Sequence, residues 1–201
     1  MNPDSTLGLS DKALMIRFTE RGDEGAFETL VRRWDARVLS FLTKASRDAE
    51  AAKDLRQEVF IRVYRYANTY KHEFAFSTWL FQIAGNALAT WHAKESRGLR
   101  LLWSSGDEAR EMRVVDPGPG PLELAALDEL NGHIEDAMHD FTLVDRQLIL
   151  LRLELEMSYP EIANVMNTPE TTLKSRFYTL MKRLRNAISV AERSEERSTC
   201  K

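Results

Sequence analysis

The sequence has little of what enzymes use to build catalytic sites. Its one cysteine among 201 residues, Cys200, lies near the end of the chain, so neither a disulfide framework nor a cysteine-based metal site is expected. An internal repeat, a glycine-rich phosphate loop and a nucleophile elbow are all missing. His133 and His139 are six residues apart, which puts their imidazoles on opposite sides of a helix. We therefore expect no enzyme, with no catalytic residues, no metal and no cofactor.

Long apolar runs are also missing. None approaches the ~18 residues that cross a bilayer, and the opening Met-Asn-Pro-Asp-Ser-Thr lacks the basic-then-apolar order of a signal peptide. We expect a cytoplasmic protein with no direct membrane insertion. The composition is ordinary for a globular protein, with 43% hydrophobic and 29% charged residues and a net charge of −3. The length allows one large or two small domains.

Strand signals are almost absent, and apolar residues recur at the helical spacings of three and four. Predicted helices of the first half begin at Ser10 or Asp11, at Asp23, at Asp48 and at Ser77, and the first of them ends at Gly22. Four helices with short connections predict one compact all-helical domain over residues 10–97.

The middle of the chain differs in composition. Residues 104–136 contain nine acidic and two basic side chains, and Pro117-Gly-Pro-Gly-Pro121 cannot propagate a helix. We expect a flexible acidic linker over residues 98–121. A second small helical domain over residues 122–190 then begins with a helix through Leu122 and Ile134 and a second one capped by Thr142. A polar tail, 191–201, follows.

The second domain ends in a pattern of two helices joined by a tight turn. Ser158 and Glu161 form a capping box, Asn167 ends the short first helix, and Thr168 and Pro169 begin the second. The second helix carries the apolar stripe Leu173, Phe177, Leu180 and Leu184 and, between residues 170 and 185, five basic side chains against one acidic. This pattern predicts a DNA-binding helix-turn-helix, although an amphipathic hairpin with a solvated basic face is the simpler alternative.

Three motifs occur in an order that resembles one family. They are Asp54-Leu-Arg-Gln-Glu-Val-Phe-Ile-Arg-Val-Tyr64, Phe76-Ser-Thr-Trp-Leu-Phe-Gln-Ile-Ala-Gly-Asn86, and the pair Glu161-Ile-Ala with Thr172-Leu-Lys-Ser-Arg176. Together they resemble the extracytoplasmic-function (ECF) sigma factors of the sigma-70 family. The resemblance covers almost the whole chain and implies a bacterial transcription initiation factor that joins core RNA polymerase and directs it to promoters by their −10 and −35 elements.

The resemblance also assigns roles to residues. Expected contacts to core polymerase are Asp54, Gln57, Glu58, Phe60, Ile61 and Arg62. Expected contacts to −10 DNA are Tyr70, Lys71, His72, Phe74, Phe76 and Asn86. Expected contacts to −35 DNA are Thr171, Lys174, Ser175, Arg176, Tyr178 and Thr179, with Arg176 near the DNA backbone. An anti-sigma factor is the remaining partner that the resemblance implies.

Physical arguments support these roles. Leu55, Val59 and Val63 can face the interior of the first domain, which leaves Gln57 and Ile61 for a partner. Melting without nucleotide hydrolysis requires a pocket that recovers the unstacking energy, roughly 1–3 kcal/mol per stacked base. Tyr70, Phe74 and Phe76 are candidates for stacking, whereas Trp79 and Trp91 are expected in the core.

Two departures from the family pattern limit what is carried over. Gly85 and the stretch Trp91-His-Ala-Lys-Glu95 stand where basic residues are common, and Phe177-Tyr-Thr-Leu replaces a smaller, more basic run. The promoter sequence is therefore not carried over from the family. Competing interpretations are a dimeric helix-turn-helix regulator with a helical sensor domain, and a helical adaptor or enzyme with a basic hairpin.

Overall fold

The computed structural model describes residues 8–102 and 140–198, with side chains described for 8–97 and 140–186. Within these ranges every regular element is helical, as the sequence predicts. The chain divides into two compact units, one built on the helices before residue 112 and one built mainly on those after residue 113. The helix Phe76–Leu102 includes residues 98–102, which the sequence predicted as the start of the acidic linker. The rest of that linker, the helix through Leu122 and Ile134, the histidines His133 and His139, and Cys200 lie outside the described residues. The other predicted domain boundaries stay predictions.

The first unit contains four helices. They are α1 (Asp11–Arg21), α2 (Glu24–Ser46), α3 (Ala49–Tyr66), which a short 3₁₀ turn (Ala67–Thr69) extends, and α4 (Phe76–Leu102). Their interior is made by apolar side chains at helical spacing, among them Leu14, Leu30, Val38, Phe41, Leu42, Val59, Leu80, Phe81 and Leu88. Each such side chain contributes about 1.5–3 kcal/mol when fully buried, so this core holds the four helices together.

Three of the four predicted helix starts in the first unit are confirmed by their caps. The side chains of Ser10, Asp23 and Asp48 each accept a hydrogen bond from the backbone N–H three residues later, at 2.9–3.3 Å. These bonds satisfy donors that the first helical turn leaves unpaired. Gly22 ends α1 in the left-handed region at φ 64°, where glycine avoids the steric cost of a side chain. The fourth helix begins at Phe76, one residue before the predicted Ser77.

The second unit contains α5 (Leu143–Ile149), a π-helical turn (Leu150–Glu154), α6 (Tyr159–Met166) and α7 (Glu170–Ser198). Thr142 caps α5 in a reciprocal capping box with Asp145, and Leu148 and Leu151 are fully buried. The π turn was not expected from the sequence. It ends the helix through a hydrogen bond from the Leu155 N–H to the Leu150 carbonyl at 3.0 Å.

No helix in the described part of the chain combines the length and the apolar character needed to cross a membrane.

Candidate functional site

Helix α3 has one face in the interior of the first unit and another face exposed to solvent. Leu55, Val59 and Val63 are at most 4% exposed, as the sequence predicts. The six residues expected to contact polymerase, Asp54, Gln57, Glu58, Phe60, Ile61 and Arg62, are all exposed or half-buried. Ile61 exposes 51% of its surface, which is unusual for an isoleucine beside charged neighbours. The structure thus brings these six residues to the outer side of one helix.

Several ion pairs involve the exposed part of α3. Lys53 pairs with Glu50 at 2.6 Å. Arg62 pairs with Glu58 one turn earlier, and Arg56 pairs with Asp35 of α2 at 3.0 Å. Exposed pairs of this kind contribute about 0–1 kcal/mol, so they can be exchanged for a partner's charges at little cost. Asp54 and Glu58 also border a groove of about 340 Å³ between α3 and α4, whose lining includes the half-buried Trp91.

The segment between the 3₁₀ turn and α4, residues 70–75, forms a short closed loop. The Tyr70 hydroxyl donates to the Phe74 carbonyl at 2.7 Å, and the Phe74 N–H donates to the Lys71 carbonyl at 3.1 Å. Burial raises the pKa of Tyr70, and the charge of Asp11 raises it further, so the hydroxyl remains a proton donor at neutral pH. The loop therefore presents Lys71 and Phe74 to solvent.

Two of the three expected stacking residues are buried instead. Tyr70 is 6% and Phe76 is 3% exposed, and their rings lie 6.0 Å apart. Both also pack against Trp79, at 5.4 and 6.1 Å. Of the three, Phe74 alone has a large exposed surface, 47%. Whether Tyr70 or Phe76 contacts DNA stays a prediction, but in this structure both form the base of the loop.

The remaining −10 candidates differ in exposure. His72 is half-buried with its ring edge-on to Tyr70 at 5.1 Å, and its Nδ1 is buried without a hydrogen-bond partner among the described residues. Asn86 is exposed on α4, ten residues beyond the start of that helix. Trp79, expected in the core, is half-buried. Among the −10 candidates, the exposed aromatic ring is therefore that of Phe74.

The helix-turn-helix forms as the sequence predicts. The Ser158 N–H and hydroxyl both donate to the Glu161 carboxylate, at 2.8 and 2.6 Å. Asn167 takes the left-handed conformation at φ 48°, which ends α6 and turns the chain. The Leu173 N–H donates to the Pro169 carbonyl at 3.1 Å in the first turn of α7. The turn thus fixes the start of the second helix.

The outward side of α7 carries the predicted −35 residues. Thr171, Lys174, Ser175, Tyr178 and Thr179 are exposed, whereas the stripe residues Leu173 and Leu180 are buried. Tyr178 exposes 74% of its surface. The hydroxyls of Ser175 and Thr179 donate to backbone carbonyls of the same helix at 3.0 Å, so each needs only a rotation to donate elsewhere.

Lys174 is held by two neighbours on the same surface. Its Nζ lies 3.0 Å from Glu170 one turn earlier and 5.5 Å from the centre of the Tyr159 ring. The Tyr159 ring also faces the Arg152 guanidinium at 5.2 Å and Phe177 at 6.2 Å. Cation–π contacts at exposed sites contribute about 0.5–1 kcal/mol, which favours one orientation of the lysine without fixing it.

Arg176 differs from the other −35 candidates because its side chain binds a buried residue of α5. Its Nε donates to Asp145 Oδ1 at 2.6 Å, and the Asp145 side chain is only 9% exposed. Burial raises the pKa of Asp145, but hydrogen bonds from Arg176 and Thr142 and the arginine charge lower it by more, so the net pKa lies below its ordinary value. Arg176 therefore joins α7 to α5, and its expected contact with the DNA backbone stays a prediction.

The sequence reasoning missed Asp145. Its position three residues after Thr142 is a capping-box signature that local sequence could have shown, since the Asp145 Oδ2 accepts from the Thr142 N–H at 3.2 Å. Its partner Arg176 lies 31 residues away, and no local signal connects them.

Comparison with known proteins gives the class. The model described as "Sigma-70 region 2" matches residues 30–98, and the one described as "Sigma-70, region 4" matches residues 137–184. An ECF RNA polymerase sigma-E factor from Haemophilus influenzae is 31% identical over 188 residues, covering 90% of this chain and 96% of the relative. The RNA polymerase sigma-H factor of Pseudomonas aeruginosa is 29% identical, covering 88% and 91%. The chain belongs to the ECF sigma factors of the sigma-70 family.

Solved structures agree with the fold. The sigma factor RpoE, solved in complex with the anti-sigma factor NepR from Bartonella quintana, is similar with a TM-score of 0.67 at 19% identity, covering 82% of this chain and 97% of that one. CnrH, solved with the cytosolic domain of CnrY, gives a TM-score of 0.60 at 19% identity, covering 90% and 97%. The expected all-α fold is thus confirmed. Helix α1 and the first turns of α2 precede residue 30, where the region 2 match begins.

Proposed function

We propose that this sigma factor binds core RNA polymerase through the exposed side of α3, opens the −10 element with the loop 70–75 and α4, and recognises the −35 element with α7. The observation that carries the proposal is that the two sigma-70 regions, matched in order, fall on helical units whose candidate contact residues are mostly exposed.

The polymerase contact is centred on Ile61. A half-exposed isoleucine flanked by Glu58 and Arg62 resembles the core of a protein interface, where an apolar side chain is surrounded by a polar rim. Replacing Ile61 by Asp should weaken binding to core polymerase at least about tenfold, the cost typical of an interface hot spot. Lys53→Ala on the same helix is the matched control, because Lys53 is equally exposed and pairs only with Glu50.

Promoter opening is assigned to the loop. Phe74 can stack on an unpaired base, and Lys71 beside it can contact a phosphate. The buried rings of Tyr70 and Phe76 hold this tip in place, which reduces the ordering cost when DNA binds.

Recognition of the −35 duplex is assigned to α7. Lys174, Ser175 and Tyr178 project hydrogen-bonding groups from one side of α7, the arrangement that suits the major groove. Tyr178 supplies in addition an apolar surface for a base or a sugar.

An anti-sigma factor is the proposed inhibitor. Similar folds have been solved with the anti-sigma factor NepR and with CnrY, and the exposed side of α3 with Ile61 offers an apolar surface to such a partner. The inhibitor and core polymerase are then expected to exclude each other.

Run-off transcription tests the proposal. Core polymerase is incubated with genomic fragments, with and without the protein, and new transcripts are mapped. Transcripts that require both core polymerase and this protein support it. A dimeric regulator would instead bind a palindrome without polymerase, and that result, with no new transcripts, would contradict the proposal.

A further inference from the structure

The Asp11 carboxylate at the start of α1 contacts two neighbouring side chains of α2. One oxygen accepts a hydrogen bond from Trp34 Nε1 at 3.0 Å, and the other pairs with the Arg33 guanidinium. Arg33 also donates to the Leu9 carbonyl at 3.1 Å. Asp11 lies before residue 30, where the region 2 match begins, so the matched region does not include it.

Trp34 connects Asp11 to the base of the loop 70–75, which is formed by the buried rings of Tyr70 and Phe76. Its ring lies 6.1 Å from Phe76, and Phe76 lies 6.0 Å from Tyr70. All three aromatic residues are at most 8% exposed, and such edge-to-face pairs contribute about 0.5–1.5 kcal/mol beyond the area they bury. The Tyr70 hydroxyl then closes the loop on the Phe74 carbonyl at 2.7 Å. A continuous series of contacts therefore joins Asp11 to the loop tip.

The charge of Asp11 reaches the loop as well. After burial, the negative charge of this carboxylate is the second cause that raises the pKa of Tyr70. Helix α1 also packs near the 3₁₀ turn that precedes Tyr70.

We propose that Asp11 is a positioning residue for promoter opening, which orients Trp34 so that the Phe76–Tyr70 base holds Phe74 in place for an unpaired base. The inference rests on the proposed function of the loop 70–75. Its physical reason is preorganisation: the energy of base unstacking must be recovered by contacts that exist when the base arrives, and a loop that is still to be ordered recovers less of it.

Asp23 provides a matched control in the same part of the fold. Its carboxylate caps α2 by accepting from the Ala26 N–H at 3.3 Å, and it pairs with Arg17 of α1 at 2.6 Å. Like Asp11, it joins α1 to α2, but its bonds go to the first turn of α2 and the end of α1. Loss of either carboxylate weakens the α1–α2 packing, and only loss of Asp11 should affect the loop.

The experiment compares four variants of the full chain with core polymerase: Asp11→Ala, Trp34→Phe, Asp23→Ala and Phe74→Ala. The rate of promoter opening is followed by permanganate reactivity of −10 thymines, and the unfolding temperature by circular dichroism. Asp11→Ala and Trp34→Phe should each slow opening about fivefold, the size of one lost hydrogen bond. Combining them should add little, because both remove the same contact. Asp23→Ala should lower the unfolding temperature at least as much without slowing opening.

Three results would overturn the inference. If Asp11→Ala and Asp23→Ala slow opening in proportion to their loss of stability, Asp11 only stabilises the packing of α1 on α2. If Phe74→Ala slows opening while Asp11→Ala and Trp34→Phe do not, the loop has its proposed function without help from Asp11. Unchanged opening in Phe74→Ala would instead show that the proposed function of the loop is wrong, and the inference fails with it. Trp34→Phe removes the indole N–H but leaves an aromatic ring at this position. It therefore remains informative if Asp11→Ala folds poorly.

Discussion

The two proposed DNA surfaces are built in opposite ways. In the loop 70–75 the aromatic side chains mostly face inward, with Tyr70 and Phe76 almost fully buried beneath one exposed ring. On α7 the candidate side chains other than Arg176 face outward, and Tyr178 is 74% exposed. One surface is an exposed tip on a rigid aromatic base, and the other is a row of polar groups on a regular helix.

This difference fits the two tasks. A melted strand offers the flat surfaces of bases, which stack on aromatic rings whatever their sequence, provided that the rings are already fixed in place. A duplex offers base edges in the major groove, which are recognised by hydrogen-bonding side chains at helical spacing. A buried aromatic base therefore suits the loop, and an exposed polar row such as Lys174, Ser175 and Tyr178 suits α7.

The units also differ in what holds their DNA-facing element. Tyr70, Phe76 and Trp79 fix the loop by ring packing, whereas an ion pair between the partly exposed Arg176 and the buried Asp145 fixes α7. Ring packing responds little to pH or salt. An ion pair responds to both, and this contrast can be tested.

The largest effect is expected from breaking the ion pair. Asp145→Asn should destabilise the second unit by about 2 kcal/mol, the usual contribution of a hydrogen bond to a charged group, and lower its unfolding temperature by roughly 10 °C. Arg176→Gln should cost a similar amount, and the double variant little more. Differential scanning calorimetry checks this. Additive losses would mean that the two side chains do not stabilise the fold through each other.

The same variant should show a defined pH dependence. The pKa of folded Asp145 lies below that of the unfolded chain, so its stabilisation is complete above the unfolded value, ~3.9, and is lost as the pH falls through the folded value. The free energies of unfolding of wild type and Asp145→Asn, measured with urea, should therefore differ most at neutral pH and converge in acid. A difference that stays constant from pH 7 down to about pH 2 would contradict the assigned pKa direction.

A pair of tyrosine variants sharpens the comparison between loop and helix. Tyr70→Phe removes the buried hydroxyl that closes the loop, which costs about 1 kcal/mol and should slow promoter opening about fivefold. Tyr178→Phe removes an exposed hydroxyl and should change −35 binding by less. Permanganate reactivity and gel-shift titration measure the two effects. A larger effect of Tyr178→Phe on opening would reverse the proposed division of tasks.

Lys174→Ala tests the contact of α7 with DNA. Removing one charge that neutralises a phosphate should reduce the slope of log affinity against log salt by about 1 and weaken −35 binding several-fold. Lys53→Ala removes the same charge from α3 and is the control. Equal changes in both variants would show a general charge effect instead of a local contact.

The smallest expected effect is an increase in the affinity for −35 DNA. Glu170 holds Lys174 at 3.0 Å, and an exposed pair of this spacing contributes about 0.3–0.5 kcal/mol. Glu170→Gln should therefore release the lysine and strengthen binding to −35 DNA about twofold at low salt. Weaker binding would mean that Glu170 orients Lys174 for DNA.

Local sequence signals predicted much of this structure. Ser10, Asp23, Asp48 and Thr142 are caps because their oxygens meet the unpaired N–H groups of the next turn, and Asn167 ends a helix because it tolerates the left-handed conformation. These effects involve residues within four positions of each other, so single-sequence reasoning can find them.

Tertiary packing was harder to predict. Tyr70, Phe74 and Phe76 have the same chemical character, and only packing against Trp34 and Trp79 decides which two are buried. The pairs Asp145 with Arg176 and Asp11 with Trp34 join residues 31 and 23 positions apart, which periodicity does not detect. The candidate site was therefore predicted better in its elements than in the orientation of its side chains.

The most direct test of the account compares Phe74→Ala and Lys174→Ala on one promoter isolated by run-off transcription. Each holoenzyme is assayed on the duplex, on a template with a premelted −10 region, and on a duplex with a scrambled −35 element. We expect premelting of the −10 region to restore part of the transcription lost in Phe74→Ala and none of that lost in Lys174→Ala. Scrambling the −35 element should bring wild-type transcription to the level of Lys174→Ala, whereas Phe74→Ala should still transcribe less than wild type. The reverse pattern, or identical behaviour of the two variants on all three templates, would contradict the assignment of opening and duplex recognition to separate units.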